Sequence, residues 1–221
     1  MNPMKQLILP LFAAACLLAS CDAPADVPQV NTTDSVSTTG LKNGKYVINK
    51  VKPKVTWEAS KLTGNGHKGT LHVESGSFNV VDGEIIKGKV LFDMTRIEVT
   101  DLTGEDKASL EGHLRSGDFF NVDVHPQSAL LVKGVSKENG KTFLNSTLLL
   151  NGITEDYMIP VELVEAELPG SKGLAIQGEF ELDRTKHGII YHSQTFDDKL
   201  DWFIKDEVSV GFSVIGLKAE M

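Results

Sequence analysis

Alternation between apolar and polar residues governs this chain from Tyr46 onward, and it limits the fold more than any other feature. Val208, Val210, Phe212 and Val214 alternate with Ser209, Gly211 and Ser213. Val90, Phe92 and Met94 share one parity, as do Leu130 and Val132, Ile159, Val161 and Leu163, and Ile176, Phe180 and Leu182. A period of two over four to eight residues puts one face of a strand in a core and the other in water. The runs predict strands over 45–50, 54–62, 67–81, 84–99, 127–137, 141–151, 155–165 and 173–183, with a ninth run over 207–218. Turn residues separate them: Asp82-Gly83, Asn139-Gly140, Asn151-Gly152 and Pro169-Gly170-Ser171. The chain therefore reads as all-β.

One segment breaks the period. Thr103 stands before Gly104-Glu105-Asp106, and Leu110 and Leu114 fall four apart. A capping Thr, acids in the first turn and that spacing predict a short helix over 107–114 on a long connection. Residues 197–205 read as a loop or one further helical turn. About eight antiparallel strands need closure or a second sheet to remove their edges. A closed eight-stranded barrel encloses either packed side chains or one small ligand. The inward parities here carry medium-sized apolar groups and few large rings, which favours a cavity.

The N-terminus is of a different kind. Lys5 precedes a nearly unbroken apolar run from Leu7 to Leu18, too short for a stop-transfer helix and built like a secretory signal. It ends Leu18-Ala19-Ser20-Cys21, which resembles a bacterial lipobox and implies cleavage after residue 20 and acylation of Cys21. The signal would span 1–20 and an acylated, flexible tether 21–44, with the folded domain over 45–221. Asp22 to Gly40 holds six Ser/Thr, two Pro and no aromatic residue, too little to order itself. Only two cysteines exist, Cys16 in the signal and Cys21 on the lipid, so no thiol remains for a disulfide, a thiolate metal site or a nucleophile.

Charge and motifs exclude further classes. A net charge of −8 argues against binding nucleic-acid phosphates. The six histidines form no close pair of the kind zinc prefers. No Gly-x-Ser-x-Gly elbow, phosphate loop or dinucleotide fingerprint is present. An enzyme reading and a cofactor therefore have no support in the residues.

The order of motifs is informative. Tyr46-Val47-Ile48 and Val55-Thr56-Trp57 open the domain, followed by Leu62-Thr63-Gly64-Asn65-Gly66-His67-Lys68-Gly69 and Gly76-Ser77-Phe78. Asp93-Met94-Thr95-Arg96-Ile97 comes next, then His113-Leu114-Arg115-Ser116-Gly117-Asp118-Phe119-Phe120 and His125-Pro126. Leu148 to Thr154, Phe180-Glu181-Leu182-Asp183-Arg184 and Asp206-Glu207-Val208 complete the series. The series resembles the YceI-like family of polyisoprenoid-binding, lipocalin-like bacterial proteins, and its most specific part is Asp118-Phe119-Phe120.

The resemblance implies an extended lipocalin-like antiparallel β-barrel whose hydrophobic pore takes a long-chain isoprenoid or other amphiphilic lipid. It also implies pairing as a homodimer. Leu130 stands where the family commonly carries a bulkier aromatic, which would widen or reshape the pore. The residues expected around a ligand are Val90, Phe92, Met94, Phe119, Phe120, Leu130, Phe180, Val210 and Phe212, with His67 and Arg184 at the ends. His67 reads either as a turn or rim histidine or as a hydrogen-bond partner of a head group. Asp118 reads as a cap or turn after the helix, one of the two Phe as a plug, and Arg184 as an ion-paired closure or a ligand clamp. The expected role is non-catalytic binding, sequestration or transport of lipid at the bacterial cell envelope, anchored through Cys21 at the outer membrane facing the periplasm. The other reading is a structural or surface interaction module with a filled barrel.

Overall fold

Nine strands build eight staves, because the first two share one. The computed structural model describes residues 41–50, 53–168, 171–199 and 201–219. The signal, Cys21 and nearly all of the tether lie outside the described residues, as does the Pro169-Gly170 turn. Strands β1 (Gly44–Ile48) and β2 (Lys54–Ser60) lie in the same slot between β3 (Gly66–Val81) and β9 (Glu207–Lys218). β1 pairs with β3 at Ser77–Val80 and with β9 at Gly216–Lys218. β2 pairs with β3 at Gly66–Thr70 and with β9 at Ser209–Ser213. Pro53, which has no backbone N–H to give a ladder, stands at the break between them.

The ring continues through β4 (Glu84–Val99), β5 (Gln127–Glu138), β6 (Lys141–Leu150), β7 (Ile153–Leu168) and β8 (Ser171–Asp183), every neighbour antiparallel. Closure leaves no open edge. The hairpin turns follow from residues that tolerate positive φ. Asp82 and Gly83 stand at +50° and +80°, Asn139 and Gly140 at +50° and +77°, and Asn151 and Gly152 at +49° and +77°. Both central residues left-handed is the primed turn that matches strand twist.

Two strands change face midway, which simple alternation does not foresee. In β4, Met94 faces inward, yet so do Ile97 and Val99, 3% and 0% exposed. The register jumps from His72 opposite Asp93 to Leu71 opposite Ile97. The Asp93 carboxylate holds the extra residues, accepting from Thr95 N–H at 3.0 Å and from its hydroxyl at 2.6 Å. In β5, Lys133 drops out of register and Gly134 takes φ +150°, so the inner face passes from Val132 to Val135.

The helix, α1 (Gly104–Arg115), is longer than the predicted 107–114. Thr103 occupies the cap position but its side chain makes no capping bond; Glu105 and Asp106 supply charge to the first turn instead. Only Leu114 of the helix is buried, so polar contacts dock it. Glu111 accepts from Val99 N–H at 2.9 Å and Arg115 donates to the Ile97 carbonyl at 3.0 Å, satisfying backbone groups at the end of β4. Beyond the helix, the side chain that bonds the turn is Ser116 rather than Asp118: its hydroxyl donates to His113 O at 2.8 Å and accepts from Asp118 N–H at 3.3 Å. Asp118 instead lies 3.0 Å from His113 Nε2. Residues 198–199 form a turn, and Ile204 bridges to Lys61. The helical turn of this region stands earlier, a 3-10 turn at Arg184–His187.

The interior packs tightly at the hairpin end, where Tyr46 stacks on Phe78 at 5.3 Å over buried Val80, Ile85, Ile159 and Leu174. At the helix end, Met94, Val122, Leu150, Leu182 and Ile189 form a second cluster, and Ile97, Val99 and Leu114 a third beneath α1.

Candidate functional site

Between these packed ends the barrel holds a cavity of about 200 Å³ whose free surface is carbon. Four staves that sequence alternation singled out line it. β4 contributes Val90, Phe92 and Met94, β5 Leu130, β8 Phe180, and β9 Val210 and Phe212. Phe119 and Phe120, carried past α1 by backbone bonds from Phe120 N–H to Leu114 O and from Asn121 N–H to Ser116 O, close over the helix end. Ten of the eleven residues expected around a ligand thus meet at one cavity. The inward Phe212 has room because β8 places Gly178 opposite it, where a Cβ would lie 3.0 Å from the ring.

His67 is the eleventh, and it is not on the cavity wall. Its Nδ1 lies 3.1 Å from Asp101 Oδ2 on an exposed edge. Slight burial works to raise the Asp101 pKa, but hydrogen bonds from His67 and from Lys68 N–H outweigh it and hold the carboxyl below its usual range. The pair ties the start of β3 to the second residue past the end of β4.

Arg184 lines the cavity as a satisfied group. It is 3% exposed and donates to the carbonyls of Lys205, Ile189 and Ile204 at 3.0, 2.8 and 3.1 Å, and to Asp206 Oδ1 at 3.3 Å. Burial pulls its pKa down, opposed by Asp206 and Asp183. The guanidinium is a rivet between the start of the 184–206 loop and its return.

Several wall residues escaped the sequence reading. Trp57 and Ala59 follow Val55 on one parity of β2, so alternation could have found them. Ile97 and Leu114 needed the β4 bulge and the docked helix; Ile189 and Ile204 needed the loop fold. Near the floor, half-buried Tyr157 pairs with buried His187. Burial pushes the phenol up to about 12 and the imidazole down. Among the described residues, no group of three or more His, Cys, Asp or Glu could hold a metal ion.

The YceI-like domain family matches residues 46–215 of this chain. A UPF0312 protein of Vibrio parahaemolyticus is 30% identical over 132 residues, 58% of this chain and 67% of its own length. A UPF0312 protein of Pectobacterium atrosepticum is 30% identical over 92 residues, 40% of this chain; there the chain spans about half of the relative, 48%. Solved structures share the fold at low identity. BcnA of Burkholderia cenocepacia superposes with a TM-score of 0.57 at 14% identity, covering 76% of this chain and 98% of its own. A polyisoprenoid binding domain from Saccharophagus degradans, implicated in plant cell wall breakdown, gives 0.56 at 11% identity, covering 80% and 100%. The YCEI protein of Campylobacter jejuni gives 0.51 at 14%, covering 90% and 94%.

Proposed function

Starting from the fact that this chain belongs to the YceI-like domain family, we propose that it binds, sequesters or carries a long-chain amphiphilic lipid, of isoprenoid or fatty-acyl type, in its barrel at the bacterial cell envelope. The observation that carries this is the carbon-walled cavity of about 200 Å³. An apolar cavity of about 150 Å³ in another protein stays dry and takes up benzene, so a void of this kind receives hydrocarbon in preference to water. Each methylene moved from water contributes about 0.8 kcal/mol, so a dozen carbons supply about 10 kcal/mol. That is of the order of the lost ligand freedom, about 4–15 kcal/mol. The likeness to a polyisoprenoid binding domain supports the same ligand class. The envelope location rests on the apolar run ending in Leu18-Ala19-Ser20-Cys21.

Organic extraction of the purified full chain followed by mass spectrometry tests the reading. A long-chain lipid recovered near one per protein is the expected result. An extract without lipid, from a protein that also takes up none on incubation, overturns it in favour of a filled or empty structural barrel.

A further inference from the structure

We propose that lipid enters and leaves this barrel through its side, between β7 and β8 at the α1 end, and that protonation of His187 opens the way; the proposal rests on the lipid-binding reading above. The ladder joining these strands runs from Val161–Gly178 to Leu168–Ser171. Among the described residues, β7 continues without β8 from Pro160 back to Ile153, and β8 without β7 from Glu179 to Asp183. Pro160 stands at the break and has no N–H to extend the ladder. Each margin is held by its other neighbour, β7 by β6 and β8 by β9, so the seam can part without unfolding either strand. Both margins are cavity wall, with Ile159 on β7 and Phe180 and Leu182 on β8. On the outside, Met158 is 51% exposed.

Side chains close this seam. Tyr157 of β7 meets Phe180 of β8 edge to face at 5.6 Å, and its hydroxyl lies 3.0 Å from His187 Nε2. The 3-10 turn that carries His187 hangs from the end of β8. It is tied to the start of β7 by His187 Nδ1 to the Ile153 carbonyl at 3.2 Å and by Asn151 Nδ2 to His187 O at 3.1 Å. Cavity-lining Ile189 follows two residues on. The β4–β5 ladder also stops short of the end of β4, but backbone and helix bonds cover that place: Met94 N–H to Pro126 O, Glu111 to Val99 N–H, and Arg115 to Ile97 O.

His187 is 0% exposed, and its ring bonds a phenol and a backbone carbonyl rather than a carboxylate. Glu155 of β7 and Asp183 at the end of β8 favour its charged form, but burial outweighs them and keeps the ring neutral. Arg184 beside it is spent on three carbonyls and Asp206, Lys186 of the same turn is exposed, and His125 lies against Gly152 of the hairpin. A buried imidazolium without a bonded carboxylate is costly, so the protonated ring moves to water and releases the ties across the seam.

Tritiated farnesol and 1-hexadecanol stay uncharged at the pH values used, so only the protein titrates. The full chain, carrying Cys16→Ser and Cys21→Ser, is loaded with each, and transfer to phosphatidylcholine vesicles is timed while circular dichroism shows it folded. Transfer should quicken about tenfold or more from pH 8 to pH 5.5. His187→Gln, which can keep both hydrogen bonds, should hold it at the pH 8 rate. Met158→Cys with Glu181→Cys, bridged by a short bismaleimide across the seam, should remove the acceleration. The same bridge on Glu162→Cys with Gln177→Cys, where the ladder is intact, should leave it unchanged. Acceleration that survives the Met158–Glu181 bridge overturns the side route, and acceleration that survives His187→Gln overturns the gate; both leave lipid binding standing. A wild type that takes up neither probe overturns the lipid-binding reading itself.

Discussion

The Tyr157 hydroxyl lies 3.0 Å from His187 Nε2, and the two rings lie nearly parallel, 11° apart, with centroids at 6.0 Å. His187 Nδ1 faces the Ile153 carbonyl at 3.2 Å, so Nδ1 carries the proton and Nε2 accepts from the phenol. Asn151 Nδ2 donates to His187 O at 3.1 Å, and the 3-10 turn is thereby pinned to the β6–β7 hairpin. The arrangement needs a neutral imidazole, and burial lowers the His187 pKa accordingly. The unfolded chain then binds the proton more readily than the folded one. Stability is full above the unfolded value of about 6.5 and declines as pH falls through that value toward the lower folded one. Thermal melts of the wild type should drop across this window. His187→Gln, which can keep both hydrogen bonds without titrating, should flatten the drop; an unchanged slope would remove His187 as its source.

Arg184 gives a second test, of closure against ligand clamping. Arg184→Met leaves three carbonyls without their donor and Asp206 without its cation. It should cost about 3–5 kcal/mol in urea denaturation. Arg184→Lys should recover little, because one ammonium cannot reach all four acceptors as the guanidinium fork does. Lipid carried per folded molecule should stay unchanged in both variants. A stable variant that has lost its lipid would make Arg184 a ligand group.

Where period and turn chemistry act locally, the chain could be read directly. Glu84–Val99 and Glu207–Lys218 match the predicted runs at both ends, and three hairpins turn at Asp-Gly or Asn-Gly pairs. The inward parity of Val90, Phe92, Val210 and Phe212 then gave part of the cavity wall that β4 and β9 supply. What escaped depends on irregular backbone or contacts far apart in sequence. The switch from Met94 to Ile97 comes from a bulge held by Asp93, and an Asp two residues before Thr95 is a weak local sign of it. The helix is docked by Glu111 and Arg115 onto β4 backbone, not by an apolar stripe, so its pattern understated its length. His67 stood among glycines that suggested a rim, but its partner, Asp101, lies 34 residues on.

The proposed anchor rests on one atom. Cys21→Ala should abolish acylation and leave uncleaved precursor or soluble protein. Fractionation with alkaline washing, read beside gel migration, measures this. Membrane retention with unchanged migration would reject the lipoprotein reading and leave the barrel untouched.

Enlarging a wall ring distinguishes a cavity from a packed core. Phe212 and Phe92 border the void, and Phe212 rests over Gly178 with free volume on its inner side. Phe212→Trp and Phe92→Trp should therefore place the larger ring in the cavity, changing stability by less than about 1 kcal/mol while displacing bound lipid. Tyr46 provides the contrast. It is 4% exposed, stacked on Phe78 with ring centroids 5.3 Å apart, and stands off the cavity wall. Tyr46→Trp should cost about 1–3 kcal/mol or more, the usual penalty of overpacking. Chemical denaturation run beside lipid extraction on all three variants reads both quantities. Equal destabilisation at the three positions, with lipid retained at Phe212 and Phe92, would mean that the middle of the barrel is as full as its end.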